Sequence, residues 1–174
     1  MVSLASSSGL SGSVSWWKFL WLLRIPSKIK IFVWRACWQW IPTLDNIARR
    51  GVMTVVCPIC GVKPESTLHA LWGCSGLADV RSSSAAFQKL PWIADGIFMD
   101  FITSCARILV VREMEFLCVV LWRIRWKRNQ VVHGVFNRCE GSIVGWAYDF
   151  LFKFWDANSK GFELAPLGPV GSSS

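Results

Sequence analysis

Apolar residues recur along this chain at helical rather than strand spacing. Between Ser27 and Trp40, the residues Ile29, Phe32, Val33, Ala36, Cys37 and Trp40 follow at i, i+3 and i+4 intervals. Lys28, Lys30 and Arg35 fall mostly off that stripe, which predicts one amphipathic helix across the segment. A shorter helix is predicted before it, from Trp16 to about Leu23, punctuated by Pro26, which biases Ile25 away from helical dihedrals. Thr43 after Pro42 is a natural N-cap for a short helix through Leu44, Ile47 and Ala48, closed by Gly51. Another short helix is expected near Glu65 to Leu71. The signal then weakens, since Ser82-Ser83-Ser84 and Leu90-Pro91 mark a loop or a broken helix. Residues 97–110 and 113–130 read as two further helices, and Ile143 to Trp155 as a last amphipathic one. No repeat and no sustained strand alternation interrupts this helical reading.

Chemistry concentrates between residues 57 and 74. Cys57, Cys60, His69 and Cys74 form a C-x2-C-x8-H-x4-C pattern, with three potential thiolates and one imidazole. That is the ligand inventory of a closed tetrahedral zinc site. Cys57 and Cys60 are expected on a tight turn, with Pro58 fixing one φ angle and Gly61 tolerating positive φ. His69 and Cys74 are expected from the following short helix and its end. All four positions belong to the protein, so a bound Zn²⁺ would be structural and would have no open coordination site for water. The predicted fold is therefore mainly α, an irregular helical domain stapled by one zinc knuckle with no substantial sheet.

Composition sharpens this picture. The chain has 174 residues, is 53% hydrophobic, contains 12 Trp and 11 Phe, and is only 17% charged. Globular domains usually carry about 25% charged residues. A membrane span would need about 20 consecutive apolar residues. The run from Phe19 to Leu23 stops at Arg24, and the run from Phe116 to Trp122 stops at Arg123. The apolar surplus is thus assigned to a core or to a partner surface, not to a membrane. Residues Met1 to Ser8 lack the basic and apolar regions of a secretory signal. With an odd number of Cys, this points to a reducing intracellular setting, nucleus or cytoplasm, and not to secretion. Cys37, Cys105, Cys118 and Cys139 are read as plain core or surface residues. Residues 1–15 and 159–174 are Ser/Gly- or Gly/Pro/Ser-rich and are expected to be disordered.

The net charge of +8 suits a nucleic-acid partner, RNA or DNA. Three thiolates and one Zn²⁺ would lower it by one, to about +7. Candidate phosphate contacts are Lys28, Lys30, Arg35, Arg49, Arg50 and Lys63, with a second group at Arg123, Arg125, Lys127 and Arg128. For that second group, a helix C-terminus complementing its macrodipole is the competing reading. Trp34, Trp38 and Trp40 could stack on bases, but their helical spacing reads first as core. Catalysis is not expected. No Gly-rich phosphate loop is present, and the 11 acidic residues form no set that could hold two Mg²⁺. A nucleophilic Cys–His pair would need an orienting group and an oxyanion hole, and His69 and Cys74 are better employed on metal.

Taken together, these residues resemble the zinc-binding domain that follows the reverse transcriptase in plant non-LTR (LINE-type) retroelements. The resemblance is carried by Trp17, Leu20-Trp21, Ile25-Pro26, Lys28, Phe32, Trp34-Arg35, Ile41-Pro42-Thr43, Asn46-Ile47 and Arg50. It continues through Cys57, Cys60, Glu65-Ser66, His69 and Cys74, and so delimits a zinc-binding domain over residues 16–81. Leu121-Trp122-Arg123-Ile124 and Arg128-Asn129 are similar to the segment that precedes an RNase H domain, which makes 82–158 a helical extension. The chain departs from the pattern at Arg81 and Arg125, where Trp is usual. The resemblance implies Zn²⁺ binding, an association with reverse transcription, and polymerase or RNase H domains as partners. It marks the chain as a detached piece of such an element, one that still binds nucleic acid, serves as a structural connector, or has decayed.

Overall fold

The structure, a computed structural model, describes residues 9–48, 51, 55–93, 96–134 and 141–160. In chain order the helices are α1 (Gly9–Leu22), α2 (Ser27–Cys37), α3 (Leu44–Ala48), α4 (Ala78–Ser82), α5 (Ala85–Gln88), α6 (Phe98–Ile108), α7 (Val111–Val132) and α8 (Ile143–Lys160). A π turn (His69–Gly73) and a 3₁₀ turn (Ser75–Leu77) lie between α3 and α4. Among the described residues no strand forms, and a single antiparallel bridge joins Val56 to Pro64. The mainly α expectation holds.

α7 is the hub. Met114 to Leu121 are all buried, as expected of a helix covered on every side. It packs against α2, α6, α8 and the π turn. α2 contributes Ile29, Val33, Ala36 and Cys37 to the core, while α6 contributes Phe98, Phe101, Ile102 and Cys105 at i, i+3, i+4 and i+7. α8 contributes Val144, Ala147 and Leu151. Buried residues from both sides of position 81 make one continuous cluster, so the helical extension and the segment before it share a core.

Polar contacts reinforce the docking of α7 and α8. The buried carboxylate of Glu115 accepts from the backbone N–H of Arg24 and from Arg112. The Trp155 indole N–H donates to the Arg24 carbonyl at 2.9 Å. Arg123 lies between two rings, its guanidinium 4.0 Å from Trp126 and 4.4 Å from Trp146.

Three expectations need correction. α1 begins at Gly9, inside the Ser/Gly stretch assigned to disorder, and α8 runs on to Lys160. α2 stops at Cys37, not Trp40, because Gln39 adopts a left-handed conformation with φ 55°. In consequence Trp38 and Trp40 leave the buried stripe and stand 50% and 63% exposed. Arg49, Arg50 and Cys139 lie outside the described residues.

Candidate metal centre

The first two sulfur ligands come from a tight hairpin. The Glu65 N–H donates to the Val55 carbonyl at 2.7 Å and the Cys57 N–H to the Lys63 carbonyl at 2.8 Å. At the tip, the Gly61 N–H donates to the Cys57 carbonyl at 2.8 Å, and Gly61 takes φ 66°. This is the left-handed role expected of a glycine directly after Cys60.

The other two ligands come from the π turn. Ser66 opens it, its hydroxyl accepting from the His69 N–H at 3.1 Å. The turn closes with the Cys74 N–H donating to the His69 carbonyl at 3.0 Å, a bond across five residues. In an α-helix, residues five apart project from different faces. The wider π turn brings His69 and Cys74 round to the same side, a device common at functional sites.

Cys57, Cys60, His69 and Cys74 converge, their ligand atoms all within 4.8 Å of one another. Cys57 Sγ lies 3.9 Å from Cys74 Sγ, and Cys60 Sγ lies 3.4 Å from His69 Nε2. A tetrahedral ion with metal–sulfur bonds of about 2.3 Å would set the sulfurs roughly 3.8 Å apart. The donor set is therefore of the kind and at the spacing that a four-coordinate metal draws together. No disulfide joins these cysteines.

The backbone prepares each sulfur for negative charge. N–H groups of Ile59 and Cys60 point at Cys57, those of Val62 and Lys63 at Cys60, and that of Gly76 at Cys74. Hydrogen bonds to ligands in this way orient and tune the first coordination shell. Burial nonetheless dominates at two sites, pushing the Cys57 thiol up and the Cys74 thiol up to about 12. At Cys60 burial also acts upward, but the N–H groups of Lys63 and Val62, with His69 and Cys57, outweigh it and bring the thiol down to about 6. Cys37 and Cys105 differ, since burial pushes both up to about 12 with no metal-ligand neighbours. Together with the buried Cys118, they are core cysteines.

Two supports of this centre carried no signal in the spacing. Arg81 sends Nη1 to the carbonyls of Trp72 at 2.7 Å and Cys74 at 2.8 Å, which satisfies backbone oxygens at the end of the π turn. Glu65, wholly buried, accepts from the Leu44 N–H at 2.9 Å and from Arg128 through Nε and Nη2. This joins the hairpin to α3 and α7.

The candidate phosphate contacts fare unequally. Arg128 is buried against Glu65, and Arg123 is buried between two Trp rings. The reason is local packing, since α7 turns both side chains inward and their charge meets internal partners. Arg125 is half-buried, and burial lowers its guanidinium to about 10, with Arg128 contributing. Lys127 reaches the Gly141 carbonyl at 3.2 Å, and Lys63 is half-buried beside the knuckle. Lys30 caps α1 through the Trp21 carbonyl at 2.7 Å, and Lys28 sits 4.8 Å over the Trp122 ring. Arg35 is exposed on α2.

Residues 5–80 match the family model described as zinc-binding in reverse transcriptase. All four converging ligands fall inside that match. Comparison with curated proteins and with solved structures finds no match. No helix among the described residues is long and apolar enough to cross a membrane.

Proposed function

We propose that this chain is a non-catalytic zinc-binding module derived from the reverse transcriptase of a plant LINE-type retroelement, acting inside the cell on nucleic acid. The observation that carries this reading is the convergence of Cys57, Cys60, His69 and Cys74 within 4.8 Å, inside the segment that matches the reverse-transcriptase zinc-binding model. Zn²⁺ held there would tie the hairpin to the π turn and supply folding free energy, on the order of 10 kcal/mol in small zinc domains. All four donors come from the protein, which supports a structural metal. The net charge of +8 supports an anionic partner.

Metal analysis of the purified protein tests the first half of the proposal, with Cys60→Ser as control. One equivalent of zinc in wild type and loss in the variant are expected, and a folded, metal-free wild type would refute it. Titration with RNA and DNA at two salt concentrations tests the second half. Affinity that falls steeply with salt is expected, and no binding at low salt would sink it.

A second reading has its own observation. Tyr148 and Phe152, one turn apart on α8, are 60% and 71% exposed, and a contiguous exposed apolar face marks an interaction site. On this reading the module is a connector that docks against polymerase or RNase H domains. A monodisperse chain that shows no affinity for either domain would count against it.

A further inference from the structure

The positive charge of this chain is concentrated at one end. The first 44 residues hold Lys18, Arg24, Lys28, Lys30 and Arg35 and not one Asp or Glu. They thus carry +5 of the net +8, while the remaining residues hold 14 basic against 11 acidic side chains. α1 and α2 lie within this carboxylate-free stretch.

Where α2 ends, the same stretch sets three rings in a row, Trp38 and Trp40 exposed and Trp17 half-buried against the core. Trp17 stacks on Trp38 with centroids 6.1 Å apart and planes 13° from parallel. Trp38 in turn stacks on Trp40 at 6.1 Å and 29°. Trp34 meets Trp40 edge-on at 5.3 Å and braces it from the helix. Beside the ladder lies an open cleft of about 760 Å³, lined by Trp38, Gln39, Trp40, Ile41, Asn46 and Ile47.

The turn that presents these rings is held against a conformational cost. The Trp40 N–H donates to the Arg35 carbonyl at 2.8 Å and the Gln39 N–H to the Ala36 carbonyl at 3.0 Å. That pair is the Schellman pattern, in which the left-handed position is normally glycine. Here it is Gln39, at φ 55°. Asn46 fixes the loop further, donating from Nδ2 to the Gln39 carbonyl at 2.6 Å and the Ile41 carbonyl at 2.8 Å. Backbone strain of this kind persists where surroundings over-determine it, and it clusters at ligand-binding positions.

We infer that the Trp17–Trp38–Trp40 ladder is a stacking platform for the bases of a single-stranded nucleic acid. Its phosphates run past the exposed Lys18 and Arg35, on a stretch of sequence that holds no Asp or Glu. The inference rests on the nucleic-acid reading above and assigns it a site. Aromatic rings accept any base face, and cations beside them track the backbone, the combination that single-strand binders use. A duplex hides its base faces and would not fit a ladder. The exposed Lys18 and Arg35 beside the rings argue against an apolar protein segment as the occupant, and the +5 charge of this stretch argues against a second copy of it.

The test uses the full zinc-loaded chain and labelled oligo(dT), oligo(rU) and a DNA duplex, followed by fluorescence anisotropy at low and moderate salt. Both single strands are expected to bind more tightly than the duplex, and their ratio reports any preference for DNA or RNA. Trp40→Ala is expected to weaken single-strand binding roughly 5- to 150-fold, as for loss of one stacked base, and Trp40→Phe to retain most of it. Arg35→Gln is expected to reduce the logarithmic salt slope by about one. Unchanged zinc content and helical circular dichroism show that each variant is folded. Single-strand binding untouched by Trp38→Ala and Trp40→Ala would overturn the ladder while leaving nucleic-acid binding intact. Equal affinity for the duplex, or a concentration-dependent dimer abolished by Trp40→Ala, would also overturn it. Absence of any binding at low salt would remove the nucleic-acid reading itself.

Discussion

Arg128 and Glu65, 63 positions apart in sequence, form a buried ion pair between α7 and the segment that links the two halves of the metal centre. Arg128 also reaches towards the Pro42 carbonyl at 3.5 Å, and Glu65 holds the Leu44 N–H. One guanidinium thus locks the metal hairpin, the start of α3 and the central helix together. Removing one partner of such a pair strands a charge in the interior, at a cost of about 3–5 kcal/mol, whereas replacing both with apolar residues costs far less. Arg128→Leu is therefore expected to lower the unfolding free energy of the zinc-loaded protein by about that amount in urea titrations. The double variant Glu65→Leu/Arg128→Leu should recover most of it. A single variant as stable as wild type would show that the pair does not brace the fold.

The metal centre should be acid-sensitive, with a proton count set by its three thiols. Metal binding requires thiolates. In the folded metal-free protein Cys60 titrates near 6, while Cys57 is raised and Cys74 titrates near 12, both through burial. At pH 7.5 Cys60 is already a thiolate, so binding should release about two thiol protons, from Cys57 and Cys74. The sign follows directly: affinity rises with pH and is lost on acidification, more steeply below about pH 6, where Cys60 also holds its proton. Calorimetry in buffers of different ionisation enthalpy counts these protons. Release of three near neutrality would mean that the knuckle is unfolded without metal and that its cysteines behave as free thiols.

Gly76 packs against Ile59 of the hairpin with no room for a side chain. A Cβ there would lie 2.6 Å from Ile59 Cγ2 and 3.7 Å from Cys74 Sγ. Ile59 is β-branched, so its methyl can yield only by a change of χ1 or a shift of the hairpin. Gly76→Ala is expected to cost about 1–3 kcal/mol, the usual range for overpacking, seen as weaker zinc affinity in a chelator competition. Adding Ile59→Ala should restore most of it, because the two sites share one contact. No recovery in the double variant would place the cost elsewhere.

The ligands were legible because metal chemistry is local. Cys57, Cys60, His69 and Cys74 fall within one short segment, and few other uses explain that spacing. The amphipathic helices α2, α6 and α8 were legible from their 3.6-residue period. What escaped depended on distant partners or unsignalled backbone. Arg123 and Arg128 read as part of a basic run, because the Trp146 ring and the Glu65 carboxylate that help absorb them lie elsewhere in the chain. The π turn has no composition of its own, and Arg81, in a position where Trp is usual, gave no hint that it caps the carbonyls of Trp72 and Cys74. Trp38 and Trp40 continued a helical period, and no glycine or asparagine announced that the helix would stop.

That hidden stop gives the last prediction. Gln39 holds φ 55° at the position after the α2 C-cap, where glycine adopts the same conformation without a Cβ penalty. Gln39→Gly is therefore expected to leave the turn intact and to raise stability, by at most about 1 kcal/mol, because glycine's greater freedom in the unfolded chain offsets part of the gain. Asn46 still holds the loop through the carbonyls of residues 39 and 41, which glycine retains. Thermal denaturation of the zinc-loaded variant measures the effect. A variant less stable than wild type would mean that the Gln39 side chain makes a favourable contact large enough to exceed the strain of its backbone. Gln39→Val probes the same point from the other side. A β-branched residue tolerates positive φ poorly, so it should destabilise the turn and quench the exposure of Trp38 and Trp40, read by acrylamide quenching of tryptophan emission.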